Sequence, residues 1–399
     1  MTMQKIKVGL VGSLDMLSFK NMKSQREQII ERNKPREIVG EFSINKNAKQ
    51  MHPDIQELVV KEVIDHFGGA AKTYILEGVN ENKVAYFRAG QALSLKLQIG
   101  NSFVTRSYSI SSSPKEKVYR ITVKRKTNGF ASNYILDNFN VGTKVLASAP
   151  YGNFYLEQFR DNKNIVAVAG GSGITPFVSM ANAIKDGIED YSLTIIYGNN
   201  NYNSLLYKEE LDNIQATCEK VKVVYVLANE TRVGCEHGFI NSEIIKKYAQ
   251  EPYSLFVSGP SALHEHIRKE LPVLNKERKD VRFETLECEG DISKTFIYPE
   301  DAIGKTYKIK VLQGPNTYTI EAKASETILV ALERAGIKAP SKCRGGECGW
   351  CRSKLVSGNV FSNIKQDQRR YIDKEFNYIH PCSCYPIANC TIEVPSEYL

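Results

Sequence analysis

Cys343, Cys348 and Cys351 stand in the spacing C-x4-C-x2-C, and Cys382 follows within Pro381-Cys382-Ser383-Cys384-Tyr385-Pro386. Thiolate sulfur is the ligand of soft metal centres, and four thiolates with a first gap of four residues suit a [2Fe–2S] cluster. A structural zinc favours C-x2-C pairs. Gly345, Gly346 and Gly349 keep the loop compact enough for backbone amides to approach cluster sulfurs. On spacing alone Cys384 competes with Cys382 for the fourth position, whereas Cys390 reads as a small core residue.

Two further constellations carry polar chemistry. Arg106-Ser107-Tyr108-Ser109-Ile110 supplies a cation for a phosphate, an aromatic face for a ring and hydroxyl donors. A flavin needs these groups, and Val123-Lys124 and Gly129-Phe130-Ala131-Ser132 follow about twenty residues later. Ala169-Gly170-Gly171-Ser172-Gly173-Ile174-Thr175-Pro176 follows a predicted strand and opens a helix at Pro176, where backbone amides can close on a pyrophosphate. Val257-Ser258-Gly259-Pro260 ends a later strand and opens another helix.

The elements around these residues fall into four blocks. Residues 1–67 are predicted as a partly helical N-terminal extension, with Ile55, Leu58, Val59, Val63 and Phe67 on one face of a helix that Gly68-Gly69 stops. Short alternating runs over 68–157 predict an antiparallel β-barrel. Buried strands alternating with helices over 158–295 predict an open parallel sheet of Rossmann-like kind. Over 304–399 a hairpin (Tyr307, Ile309, Val311, then Tyr318, Ile320, Ala322) precedes a capped helix from Ser325 to Ala335, the beginning of a β-grasp. The fold class is thus multidomain α/β and β.

Composition agrees. A chain of 399 residues exceeds one core, and 42% hydrophobic with 25% charged residues describes a globular protein. The net charge of +8 arises from 53 basic and 45 acidic residues with no run of like charge, which argues against a nucleic-acid partner. No apolar run approaches the roughly 18 residues of a membrane span. Six of nine cysteines lie between Cys343 and Cys390, which predicts a reduced, cytoplasmic protein with one metal site over a disulfide framework.

The run Cys343-Arg344-Gly345-Gly346-Glu347-Cys348-Gly349-Trp350-Cys351 resembles the cluster loop of plant-type ferredoxins, and that resemblance favours Cys382 over Cys384, because the family's last ligand stands four residues before a proline like Pro386. From about Ala70 to Leu399 the chain resembles the ferredoxin–NADP reductase superfamily, in the order flavin barrel, nucleotide domain, C-terminal ferredoxin. This order occurs in reductases of oxygenases and of the hybrid-cluster protein. The resemblance implies that Arg106 holds the flavin phosphate, Tyr108 packs on the isoalloxazine, Ser109 approaches N5, and Val123, Lys124 and Gly129 to Ser132 line the rest of the flavin site. It further implies that Thr175 and Ser258 flank the nicotinamide and that Gly171, Gly173, Gly259 and Pro260 cradle the nucleotide.

Ser258 departs from the cysteine usual in the family. Ala228-Asn229 departs from the Ser-Arg pair of NADP enzymes, so NADH is implied over NADPH, with Arg232 the nearby cation suited to a 2′-phosphate. Gly129 to Ser132 offers a second phosphate site, which implies FAD over FMN. The implied activity is an NAD(P)H-dependent oxidoreductase passing electrons to a separate redox acceptor protein. The rivals are a subunit of a stable redox complex that docks through residues 1–67, and a stand-alone reductase of small acceptors such as quinones. Residues 304–399 carry 14 basic and 9 acidic residues, and Lys342, Arg344, Arg352 and Lys354 beside the cluster loop suggest an acceptor with an acidic docking face.

Overall fold

The computed structural model describes residues 22, 24–33, 48, 51–79, 84–284, 286, 292, 297–362 and 367–396. Two compact units are separated, Met1–Gln50 and Met51–Leu399. In the first, residues 24–32 are helical. The second carries every module described below.

Six antiparallel strands form the first sheet: β1 (Ile55–His66), β2 (Ala71–Gly78), β3 (Ala92–Ile99), β4 (Ser102–Ser109), β5 (Tyr119–Lys124) and β6 (Lys144–Ser148), in the order β4-β3-β6-β1-β2-β5. The ends of the sheet approach each other, and Ser111 N donates to Arg120 O across the seam at 2.7 Å. The helix expected over residues 55–67 is therefore strand β1, and these residues belong to the barrel. Its early residues alternate, with Gln56, Leu58 and Val60 buried, until a bulge between Val60 and Glu62 shifts the phase. That shift spreads the apolar positions at intervals that imitate a helical stripe, while the β-branched run Val59, Val60, Val63, Ile64 favours extended backbone. The apolar helix that would have served as a docking element is absent.

The second sheet is parallel: β7 (Asn164–Gly170), β8 (Ser192–Asn199), β9 (Val221–Leu227), β10 (Glu236–His237), β11 (Ser254–Ser258) and β12 (Val281–Phe283), ordered β10-β9-β8-β7-β11-β12. Because β7 is followed by β8 on one side and flanked by β11 on the other, the order reverses there, which places a crevice beyond the carboxyl ends of β7 and β11. β7 reads Ile165 to Ala169 without interruption because both faces are covered, Ile165, Val166 and Val168 each contributing about 1.5–3 kcal/mol. Arg120 on β5 donates to both Glu210 carboxylate oxygens, at 3.1 and 2.6 Å, and Ser179 Oγ donates to Ser112 O at 2.7 Å, so barrel and parallel sheet are joined by polar contacts.

The last module has a mixed sheet of β13 (Thr306–Gln313), β14 (Asn316–Lys323), β15 (Ser353–Ser357), β17 (Tyr378–Ile379) and β19 (Cys390–Glu393), beside the pair β16 (Val360–Ser362) and β18 (Cys384–Pro386). Its helix spans Ile328–Arg334 and starts later than expected, because Thr327 supplies the cap, accepting from Val330 N at 3.3 Å. Gly336, at φ 73°, ends it. Among the described residues no helix is long and apolar enough to cross a membrane.

Candidate functional site

The cysteine loop runs from the end of the helix segment into β15. Cys351 Sγ lies 3.4 Å from Cys382 Sγ, and Cys343 Sγ receives the backbone amides of Gly345 and Cys348, each at 3.4 Å. Trp350 N points at Cys348 Sγ at 3.5 Å. Hydrogen bonds from the Cys348 and Cys382 thiols and from these amides pull the Cys343 thiol well below its usual range, toward the thiolate that a metal takes. The turns depend on left-handed backbone at Gly346 (φ 79°) and Gly349 (φ 70°).

Four cysteine sulfurs with backbone amides aimed at two of them form a donor set that fits a [2Fe–2S] group. Cys384 faces Ser362 Oγ at 3.0 Å, and burial pushes its thiol up to about 11. Cys390 opens β19 inside the core.

At the other end of β4, the barrel meets the parallel sheet. Ser109 Oγ donates to Glu284 Oε1 and Ser258 Oγ to Glu284 Oε2, both at 2.6 Å. One carboxyl thus joins the residue expected near the flavin N5 to the residue expected near the nicotinamide. Burial pushes Glu284 up to about 7, against the downward pull of the two hydroxyl donors. The sequence reading missed this residue. Its signal was an acidic residue immediately after the short strand Val281–Phe283, where the chain returns to the crevice.

The crevice is shaped for close approach. A Cβ on Gly173 would lie 2.3 Å from Ser258 O and 2.6 Å from Gly259 N, and one on Gly259 would lie 3.1 Å from Gly170 Cα. The two glycine turns therefore pack backbone to backbone, and open space is left at Gly171, where a Cβ would meet nothing within 4 Å. Thr175 Oγ1 caps back onto Ser172 O at 2.7 Å, and Gly171 takes φ 55°. Pro260 precedes the helix Ser261–Glu270.

On the flavin side, Arg106, Tyr108 and Ser109 lie on β4 as expected, and Gly129 precedes the helix Phe130–Asn138 without a side-chain cap. A Cβ on Gly129 would meet Ser132 Oγ at 2.3 Å, so a side chain there would have to displace that hydroxyl from the helix N-terminus. Val123 and Ala131 direct their side chains into the barrel core, which leaves only their backbone for a ligand. Lys124 is exposed at the end of β5. These residues fit a flavin with two phosphates.

The basic face expected beside the cluster is smaller than the composition suggested. Arg344 is buried, its guanidinium gripped by Glu333, because it turns inward at φ 56°. Arg352 pairs with Asp373 at 2.5 Å. Lys342 lies over the Trp350 ring at 3.5 Å, and Lys354 Nζ donates to Phe376 O at 2.6 Å. Cys348 is exposed and Trp350 is half-exposed beside it.

Three family models match in this order: an oxidoreductase FAD-binding domain over 56–155, an oxidoreductase NAD-binding domain over 167–269 and a 2Fe-2S iron-sulfur cluster binding domain over 311–387. The ferredoxin reductase component of 3-ketosteroid-9-alpha-monooxygenase from Mycobacterium tuberculosis is 26% identical over 343 residues, covering 83% of this chain and 93% of that protein. The reductase component of glycine betaine monooxygenase from Chromohalobacter salexigens is 23% identical over 327 residues, covering 77% of this chain and 87% of that protein. The solved structure of phthalate dioxygenase reductase superposes with a TM-score of 0.63 at 22% identity, covering 86% of this chain and 98% of that one, a likeness of fold. Carrying FAD-, NAD- and 2Fe-2S-binding modules on one polypeptide, the chain belongs to the ferredoxin–NADP reductase superfamily of oxidoreductases, with a C-terminal plant-type [2Fe–2S] ferredoxin domain.

Proposed function

We propose that this protein is an NADH-dependent reductase component that serves a separate acceptor protein of the oxygenase type. The observation that carries this reading is the Glu284 carboxyl, which takes one hydroxyl from the flavin barrel and one from the nucleotide domain at 2.6 Å each. The named relatives, reductase components of two monooxygenase systems, support the kind of acceptor. When bound, FAD takes a hydride from NADH and the [2Fe–2S] centre carries single electrons onward.

The chain's own residues position and tune. Arg106 binds the flavin phosphate as a planar fork, Tyr108 offers its ring, and the amides after Gly129 with the Ser132 hydroxyl receive the second phosphate. Val123 and Lys124 contribute backbone, as does Ala131. Gly171, Gly173, Gly259 and Pro260 admit the nucleotide backbone-close, with Thr175 and Ser258 beside the nicotinamide. Ser109 Oγ is fixed by Glu284, whose carboxyl near 7 can hold a proton within the neutral range. Cys343, Cys348, Cys351 and Cys382 would hold the [2Fe–2S] group.

NADH preference is supported by Ala228-Asn229 and by Glu230, which accepts from Tyr202 N at 2.8 Å and sets negative charge near the end of β9. Arg232 lies flat on the Tyr202 ring at 3.5 Å. The exposed Cys348 and Trp350 mark the exit, with Lys342 and Lys354 as the cations left to meet an acidic acceptor face. Thiol ligands of this number suit a reducing, cytoplasmic setting.

Anaerobic titration with NADH, followed by absorbance and by EPR, tests the reading. Flavin bleaching followed by a reduced-cluster signal is expected. Bleaching without that signal, and small-acceptor activity that survives Cys348→Ala, would replace it with a stand-alone flavin reductase.

A further inference from the structure

Strand β4 does more than carry the flavin residues. Side chains alternate across a strand, so Thr105, Ser107 and Ser109 share one face and Arg106 and Tyr108 the other. Each of the three hydroxyls on the first face meets another module. Thr105 Oγ1 lies 2.6 Å from Ser341 Oγ, Ser107 Oγ donates to Lys342 O at 2.7 Å, and Ser109 Oγ reaches Glu284. Ser94 on the neighbouring β3 also donates to Lys342 O, at 2.9 Å, and Tyr151 OH sits against Ser107 at 2.5 Å and Ser94 at 3.2 Å.

Lys342 directly precedes Cys343. Arg344, directly after it, is gripped by Glu333, whose other oxygen lies 4.0 Å from Arg106 Nη1. The cysteine is therefore tied to β4 from both sides, by a neutral clasp before it and an ion network after it. Ser107 and Ser109 are separated by about 7 Å of extended backbone. β4 is laddered to β3 along its whole length, which ties the two ends of this connection to one sheet.

Resting on the functional reading above, we propose that the Ser94–Ser107 clasp on the Lys342 carbonyl is the positioning device that sets the separation between flavin and cluster, with Ser107 as the principal positioning residue. Neither serine touches the nucleotide crevice, so the clasp acts on the second transfer and leaves the first alone.

Stopped-flow absorbance on the holoenzyme resolves NADH-driven flavin bleaching from cluster reduction, and hydrogen exchange on the same protein reads the amides of 341–346. In Ser94→Ala/Ser107→Ala, cluster reduction should slow severalfold, because electron transfer falls off exponentially with the separation of the two centres. Flavin bleaching should stay within about twofold in that variant, the loop amides should exchange faster, and Ser107→Thr, which keeps the hydroxyl, should restore the wild-type split. An unchanged cluster step with unchanged exchange would overturn the proposal, as would equal slowing of both steps. A wild-type cluster that stays oxidised under NADH would instead overturn the functional reading itself, and the clasp with it.

Discussion

The barrel holds its two neighbours by different chemistry. Toward the nucleotide domain, at the crevice, the contact is a titratable carboxyl, Glu284, shared by two serine hydroxyls, with the Arg120–Glu210 pair outside it. Toward the ferredoxin domain it is a backbone carbonyl held by two hydroxyls, backed by the Arg106, Glu333 and Arg344 charges. Hydride transfer changes protonation at the flavin, so the first junction benefits from a group that titrates near neutrality. Single-electron transfer moves no heavy atom, so the second needs only a fixed distance. The contrast lies between Glu284, an ionisable group with a raised pKa at the crevice, and Glu333, a carboxylate charge-balanced by arginines beside the cluster loop.

The sharpest break in this comparison is Cys348→Ala. Losing one of four sulfurs should abolish reduced-cluster EPR and cluster-dependent output, while NADH still bleaches the flavin through the intact Glu284 junction. Next in size is Glu333→Gln. Its side chain and that of Arg344 are 5% and 7% exposed, and removing the carboxylate leaves buried guanidinium charge uncompensated, at a cost of about 3–5 kcal/mol. Differential calorimetry should show the ferredoxin transition falling while the barrel transition holds.

Glu284→Gln should act on pH dependence. The folded carboxyl is raised from 4.5 to about 7, so the native state binds this proton more tightly than the unfolded chain does. The associated stability is present below 4.5 and is lost as pH rises to about 7. Melting temperatures should therefore favour Glu284→Gln over wild type more at about pH 8 than at about pH 5. The inflection near neutrality in the rate of flavin bleaching should flatten as well; a variant that keeps it would assign the titration elsewhere.

What the sequence disclosed follows the range of the interactions. The cysteine loop was legible because its ligands and turn glycines are local, and the glycine turns after β7 and β11 were legible because strand, turn and helix follow one another directly. Strand β1 was misread because a bulge between Val60 and Glu62 broke the period of two. Glu284 was missed because an acidic residue after a strand gains its meaning only from Ser109, 175 residues away. The basic face was overcounted for the same reason: charge is visible in a sequence, but the Glu333 that buries Arg344 is assigned only by the fold of the helix beside it.

The smallest effect separates the side chain of Lys342 from its backbone. Its carbonyl is the clasp, whereas its ammonium lies over Trp350 at 3.5 Å beside the exposed Cys348. Lys342→Met keeps the carbonyl, so flavin-to-cluster transfer should remain at the wild-type rate. Oxidation of the pre-reduced cluster by ferricyanide, an anion, should slow by about twofold to fivefold at low ionic strength, and the difference should vanish near 1 M salt, where the Debye length is about 3 Å. With Arg344 buried and Arg352 paired to Asp373, few cations remain to focus a field, which is why the effect is small. A tenfold or larger, salt-insensitive loss would mean that the Lys342 side chain, and not the clasp on its carbonyl, holds the cluster loop in place.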